Sequence, residues 1–461
     1  MKQRMWSFVL ICIILWGCQS DRFAWKEFQA NQQNSLQTSA WSTNERQLFK
    51  SYLSPNQESS FDDDLLSQMM ADVDDMPITT EEAKQDVEIL FRLLQEAYAG
   101  YQYFGGDAIF SILKQDILLA VEQSSAISDD FPVILQSHFK PYIQDGHFVV
   151  GTVPLSTKVN LYYDTANTFS SADIAFSSDI LRLSPAITNE GKLVYRLTVL
   201  STEQPVLPAT LMIQGSEKKL SWAQLGTAEV DPAIAFQETT IQGIPVLSSS
   251  HFFTEKAEED LQALANAGEH YQNQSVFIID LRGNQGGDSS YAAAFLANYL
   301  NEQAEAKILY AQRFSKPLAY FAHHGTGEYR YTQEQADYFQ EERSWWMSSQ
   351  LDGKKQNHDN TIFVLMDQNT ASSAETFIQL LRPLANVYLV GSNTRGSSAF
   401  GNVCYFFYLP HSNTRIGFGT SMQFFQTMER TEGVGILPDL IVEPEDALDA
   451  VVALIQRYKL R

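Results

Sequence analysis

The chain has 461 residues, 44% of them hydrophobic and 19% charged, which provides for a sizeable core, excludes global disorder and suggests two or three domains. Lysine and arginine total 32 against 55 aspartates and glutamates, and the resulting net charge of -23 repels phosphate backbones and excludes an ordinary nucleic-acid binder. The 3 cysteines, Cys12, Cys18 and Cys404, cannot build a disulfide scaffold.

At the N-terminus, Lys2 and Arg4 precede a nearly unbroken apolar run from Trp6 to Trp16. The run is short for a membrane span and is patterned as a secretory signal. Leu15-Trp16-Gly17-Cys18 resembles a bacterial lipobox, in which the cysteine is lipidated and becomes the mature N-terminus. The expectation is an exported lipoprotein, with residues 1–18 as signal peptide and Cys18 as its anchor in the cell envelope, on the periplasmic or cell-surface side; an uncleaved anchor is the alternative. Residues 19–78, rich in Gln, Asn, Ser and Asp, are expected to form an acidic, solvated tether. Scattered Phe23, Trp25, Phe28 and Trp41 would allow some docking.

A helical N-terminal domain is expected over residues 79–150. Thr79-Thr80-Glu81-Glu82 fits a capping box, and Val87, Leu90, Phe91, Leu94 and Tyr98 follow at helical spacing. A second helix is expected near residues 107–121 and a third from about Asp130, with Pro132 in its first turn. The domain ends at Asp145-Gly146-His147 and a strand-like run. Residues 151–245 read as a β-rich region, with Tyr195, Leu197 and Val199 alternating against polar partners. Residues 246–461 take an α/β pattern: buried strands at 276–281, 362–366 and 387–390, with helices after Thr254, from Tyr291 to Leu300 and near Ser372. Such strand–helix–strand units pair in parallel and carry ligands at the carboxyl ends of the strands.

Two loops leave those strands. Gly283-Asn284-Gln285-Gly286-Gly287 would let main-chain N–H groups approach an oxyanion, or be a plain tight turn. Thr370-Ala371-Ser372-Ser373-Ala374-Glu375 puts a serine at a helix N-terminus, where free N–H groups favour an oxyanion; an ordinary N-cap serine is the other reading. Both loops open on one edge of the same sheet. No HExxH or paired CxxC segment and no GxxxxGK loop is present, so neither a metal nor any cofactor is expected.

Taken in order, Asp145-Gly146-His147, the 278–287 strand and loop, the 370–375 segment, Val390 to Gly396 and Gly433-Val434-Gly435-Ile436-Leu437-Pro438-Asp439 resemble the C-terminal processing and tricorn-like serine peptidases, a family that includes the tail-specific proteases and the interphotoreceptor retinoid-binding repeats. The resemblance spans roughly residues 79–461. It implies an α+β multidomain fold with a helical N-terminal domain, a β-rich middle and an α/β (crotonase-like ββα) catalytic core. It also implies a serine endopeptidase acting on peptides or unfolded protein tails. Matched to the motifs, Ser372 is the nucleophile, with adjacent Ser373 as the alternative. The lysine of the processing branch is replaced by Ser397, so the base falls on His147, as in the tricorn-like branch, with His323-His324 as its rival. Glu432 would orient the imidazole. The serine that tricorn-like enzymes carry before this histidine is here Gly146, so Ser397 or a water would stand in. The oxyanion donors would be Gly286 or Gly287 together with Ser373. The segment 310–360, with Trp345-Trp346, reads as a family-specific insertion or a lid. The alternatives in another class are a non-catalytic lipoprotein binding peptide, lipid or glycan on the same scaffold, and an envelope interaction partner using its acidic surface.

Overall fold

The computed structural model describes residues 24–32, 40–55, 58–71, 77–170, 176, 178–254, 257–301, 306–325, 346–353, 359–403, 405–428 and 431–460. The signal segment with Cys12 and Cys18, together with Cys404, lies outside them. The architecture is α+β and multidomain, as expected.

Among the described residues the largest sheet has ten strands, in the order Trp222–Gln224, Asn160–Asp164, Leu193–Ser201, Arg182–Ile187, Leu440–Ile441, Val387–Gly391, Thr361–Met366, Val276–Asp280, Ile244–Ser248 and Gln237–Ile241. The run from Arg182–Ile187 to Ile244–Ser248 is parallel throughout. The remaining pairs are antiparallel. Its central strands Val276–Asp280 and Val387–Gly391 are buried at every position and, Asp280 apart, carry no charged side chain, because both faces are covered. The two-residue period of a strand divides their side chains. Phe277, Ile279, Ile362 and Val364 pack on one face with helices Glu258–Tyr271, Ser290–Leu300 and Ser373–Leu381. Ile278, Phe363 and Leu365 pack on the other with helix Ala447–Tyr458.

That second face also receives Trp25 and Phe28 from the helical residues 24–32, both only 4% exposed. Trp41 and Phe49 enter a further cluster with Leu309, Phe400 and Met422, and Phe61, Leu66 and Met69 join the helical core. The described parts of 24–71 are therefore packed rather than a solvated tether. The polar composition hid isolated aromatics, each of which finds a site on a distant element.

The helical region forms as its pattern predicts, with helices Thr80–Ala97, Gly106–Gln123 and Ile127–Phe139. Thr79 and Glu82 close the expected capping box. The third helix begins earlier than expected, leaving Pro132 inside it. Its core is shared: Phe314, Leu318, Phe407 and Phe418 pack among Leu90, Phe110 and Phe131. Likewise the main sheet crosses residue 245 without a break, so the regions read from sequence are not separate cores. The 310–360 segment contributes strands Ile308–Arg313 and Trp346–Leu351 to an antiparallel sheet with Ser421–Phe425; Trp345 lies outside the described residues.

Candidate active site

Strands Val276–Asp280 and Thr361–Met366 pair in parallel, so the loops that follow them emerge together. Main-chain bonds lock the loops: Leu281 N–H to Leu365 O (2.9 Å) and Ala371 N–H to Asn284 O (2.8 Å). The buried Asp367 carboxylate accepts the N–H groups of Ala228 (3.0 Å), Gly283 (3.0 Å), Asn369 (2.8 Å) and Thr370 (3.1 Å). Arg282 pairs with Asp280 and reaches Pro444 O at 2.6 Å. The site thus rests on rigid strand ends.

Ser372 occupies the turn from strand to helix with φ 54° and ψ -119°. A non-glycine residue pays about 1–3 kcal/mol for such a conformation. It projects Oγ clear of the helix, to 3.0 Å from His147 Nε2. Ser373 takes the first helical position, and its Oγ donates to Gly287 O at 2.5 Å. Of the two adjacent serines, only Ser372 meets the histidine. His324 instead bonds Tyr320 O, and His323 and His324 lie on the helix Lys316–His324, with no contact to Ser372.

His147 is partly covered. Burial, and secondarily the Arg395 guanidinium, pushes its imidazole down to about 4, and the ring is neutral at pH 7. Its Nδ1 is buried without a hydrogen-bond partner among the described residues; the Phe400 backbone is the neighbour that favours its protonated form.

Glu432 does not contact this imidazole, contrary to the expectation. It is 3% exposed, and its Oε2 accepts Gly146 N–H (3.0 Å) while Oε1 accepts Ala399 N–H (2.6 Å). Both carboxylate oxygens are occupied by main-chain groups, so Glu432 fixes the backbone before His147 and before Phe400 rather than the ring. Asp145 holds the other side: Oδ1 accepts His147 N–H (2.7 Å) and Oδ2 accepts the Tyr98 hydroxyl (2.8 Å). Burial lifts Asp145 to about 6. Burial, and then the charge of Asp145, keeps Glu432 well above the usual carboxylate range.

The oxyanion donors need one correction. Gly286 N–H is committed to Asn284 Oδ1 at 2.9 Å and cannot donate to a substrate. Its contribution is space, because at φ +94° a Cβ there would lie 2.8 Å from Ser373 N and 2.9 Å from Ser372 Cβ. Gly287 O accepts from Ser373, and Gly287 pairs with Phe252 through its neighbours: Phe252 N–H donates to Gly286 O, and Asp288 N–H to Phe252 O (both 2.8 Å). This leaves the N–H groups of Gly287 and Ser373 as the candidate pair.

Ser397 does not reach the imidazole; its Oγ is 3.4 Å from Glu375 Oε2. It does fill the space beside Gly146, where an added Cβ would come within 2.5 Å of Ser397 Cβ. Glu375, used in the sequence only to mark the serine, is a hub. Its fully buried carboxylate accepts the N–H groups of Ser372 (3.1 Å), Gly396 (2.9 Å) and Ser397 (2.8 Å) and the Thr394 hydroxyl. Burial raises its pKa. Asp145 and Glu375 both stand inside the motifs that mark the site, but nothing in the sequence shows which main-chain donors each acid would meet. Among the described residues no group of three or more His, Cys, Asp or Glu could hold a metal ion.

Residues 245–442 match the model of peptidase family S41. No curated protein sequence matches the chain. Among solved structures, mature CPAF is similar at 12% identity, with 82% of this chain and 97% of that one covered and a TM-score of 0.45. The photosystem II D1 C-terminal processing protease is 12% identical over 83% of this chain and 100% of its own, with a TM-score of 0.38. A lipoprotein from Streptococcus agalactiae is 12% identical over 84% and 99%, with a TM-score of 0.36.

Proposed function

We propose that this chain, a serine-type peptidase carrying a peptidase family S41 domain over residues 245–442, is an exported endopeptidase with Ser372 as nucleophile and His147 as base. The observation that carries this reading is the 3.0 Å approach of His147 Nε2 to Ser372 Oγ. That distance lies within the reach a base needs.

In the first step Ser372 Oγ attacks the peptide carbonyl carbon as its proton passes to Nε2. The carbonyl oxygen becomes an oxyanion facing the N–H groups of Gly287 and Ser373. The C–N bond then breaks, and the leaving amine takes the proton from Nε2. Water attacks the resulting ester, gives a proton to Nε2, and the Oγ–C bond breaks as Oγ recovers it. Glu432 and Asp145 act as positioning residues on the peptide units flanking His147. The depressed pKa of His147 keeps it ready to accept the first proton at neutral pH.

Intact-mass labelling of the detergent-solubilised chain with a fluorophosphonate tests the assignment. One adduct is expected, lost in both Ser372→Ala and His147→Ala. An adduct that survives in Ser372→Ala moves the nucleophile elsewhere, and no adduct on the wild type overturns the reading. Export and lipid anchoring are proposed from the N-terminal sequence: Lys2, Arg4, the apolar run and Cys18. Cys18→Ser should release the chain from the membrane fraction; unchanged membrane association would refute the anchor.

A further inference from the structure

Asn284 lies in the glycine loop with 0% exposure, so its side chain meets only the protein, and each of its polar groups is engaged. Its main chain joins the two loops of the site. The N–H donates to Leu281 O at 3.1 Å, and the carbonyl accepts the N–H of Ala371, the residue before the nucleophile, at 2.8 Å. In the side chain, Oδ1 accepts Gly286 N–H at 2.9 Å, while Nδ2 donates to Ser249 O at 3.0 Å and to Ser249 Oγ at 3.2 Å. These partners decide which end of the amide is which, because a main-chain N–H only donates and a carbonyl oxygen only accepts. A carboxylate of the same shape would therefore turn an oxygen toward Ser249 O.

The bonds close a ring around one peptide unit. Ser249 N–H donates to Asp280 O at 3.0 Å, at the end of the strand that precedes the glycine loop, and Ser249 Oγ donates to His251 O at 3.2 Å. Three residues after Ser249, Phe252 N–H donates to Gly286 O at 2.8 Å. Gly286 is thus held at its N–H by Asn284 directly, and at its carbonyl by a segment whose start Asn284 also holds. In a planar trans peptide, a C=O and the N–H that follows it point in opposite directions. Fixing Gly286 O on Phe252 N–H therefore turns Gly287 N–H away from Phe252, and Gly287 O is held in turn by Ser373 Oγ. Glycine at 286 permits the φ of +94° that this arrangement needs.

We propose that Asn284 is a positioning residue for the oxyanion hole: its amide sets the rotation of the Gly286–Gly287 peptide, so that Gly287 N–H, and not Gly286 N–H, faces the substrate carbonyl oxygen. The proposal deepens the peptidase reading and rests on it.

The bimolecular rate of fluorophosphonate labelling at Ser372 tests the role, because the phosphonyl oxygen gains charge in the same hole as Oγ bonds to phosphorus and fluoride leaves. Full-length wild type, Asn284→Ala and Asn284→Asp, solubilised in detergent, are compared from about pH 5 to about pH 9, below every melting transition. Asn284→Ala should label about 100-fold more slowly, the scale of losing one oxyanion donor. The pH at which its rate falls should stay that of wild type, since no contact of His147 is touched. Asn284→Asp should show a similar deficit at high pH, where its carboxylate opposes Ser249 O. Its rate relative to wild type should rise at least about tenfold as pH is lowered, because a protonated carboxyl regains a donor for Ser249 O, and burial favours that neutral form. A general loosening of the fold would not recover with acid, so this variant decides the matter even where Asn284→Ala fails to fold. A folded Asn284→Ala that labels within about threefold of wild type, far short of a lost oxyanion donor, overturns the proposal. So does an Asn284→Asp deficit that stays constant across the pH range. A wild type that takes no adduct overturns the peptidase reading itself, and the role of Asn284 falls with it.

Discussion

Replacing Glu375 with alanine removes the acceptor shared by Ser372 N–H, Gly396 N–H, Ser397 N–H and the Thr394 hydroxyl, all inside a region with no solvent access at the carboxylate. Each buried donor left unmet costs about 1–3 kcal/mol. Water entering the vacated space would satisfy part of that demand. The substitution also relieves the desolvation that raises the pKa of Glu375. With four donors within 3.1 Å of its two oxygens and these two offsets, we expect a net loss of about 3 kcal/mol, which for a large domain lowers Tm by roughly 6–12 °C. Glu375→Gln keeps the volume but turns one oxygen into an amide facing donors. Either orientation opposes two of them, the Thr394–Gly396 pair on Oε1 or the Ser372–Ser397 pair on Oε2. It should cost about 2 kcal/mol. Calorimetry measures the stability, and fluorophosphonate labelling of Ser372 at a temperature well below both transitions measures the site. A Glu375→Gln protein that melts within about 1 °C of wild type and labels at the same rate would show that the carboxylate does not organise the loop.

Further substitutions test the geometry around the serine. Gly286→Ala places a Cβ against Ser373 N and in a left-handed conformation, so Ser372 labelling should drop by at least about 100-fold, the scale of losing an oxyanion donor; a drop below about threefold would refute the spacer role. The Gly146 backbone is not left-handed, so Gly146→Ser should fail only through the clash with Ser397, and Ser397→Gly should rescue it with a coupling of about 1–3 kcal/mol in a thermal double-mutant cycle; additive effects would refute this. The pH dependence should show two steps. The upper step belongs to the buried Asp145–Glu432 pair, whose charge on the His147 N–H is lost at a pH above the usual carboxylate range, and the neutral imidazole is lost as pH falls through about 4. Asp145→Asn should therefore abolish the upper step in peptidase kcat/KM and keep the lower one, and a single limb near 6.5 in both proteins would refute the assignment. Because the folded-state pKa of His147 lies below its unfolded value, its contribution to stability is full above about 6.5 and is lost as pH falls toward 4. Trp25→Ala should destabilise the fold by about 3 kcal/mol if the N-terminal helical residues are part of the core, and an unchanged Tm would return them to the status of a tether.

The strands that carry the site were legible because burial on both faces leaves an uninterrupted apolar run such as Val276 to Leu281, and because a parallel pair sends both following loops to one edge. The pairing of His147 with Ser372 was legible only through the order of the motifs, since 225 positions separate the two residues. What the sequence could not distinguish was which of two identical side chains meets the histidine. That choice is made by the backbone, where φ 54° at Ser372 turns one hydroxyl outward while Ser373 enters the helix and bonds Gly287. The residues misread share a different cause. Trp25 and Phe28 sit among polar neighbours, and their burial depends on a sheet face formed more than 200 residues later. Glu432 stands beside the terminal motif as expected, yet an acid next to a catalytic histidine can hold either the ring or the chain that carries it.

The missing serine before His147 illustrates how the two readings fit. In sequence, Gly146 reads as a lost member of a relay. In space, Ser397 fills the volume that a side chain at 146 would need, so the two positions exclude each other: a serine at 146 requires a smaller residue at 397. Ser397 in turn is tied to Glu375, which also holds Ser372 N–H. Glu432 holds Gly146 N–H on one oxygen and Ala399 N–H, two residues past Ser397, on the other. The histidine loop and the serine turn are thus braced against the same 394–399 segment by two buried carboxylates, and the positioning that a single hydroxyl at 146 would have provided is distributed over main-chain hydrogen bonds. Such an arrangement fixes the chain that carries the ring, while the ring itself is held at Nε2 by its hydrogen bond with Ser372 Oγ. Substitutions at Glu432 or Asp145 should then lower kcat through loss of placement, while leaving the pKa of His147, which is governed by burial and Arg395, nearly where it was.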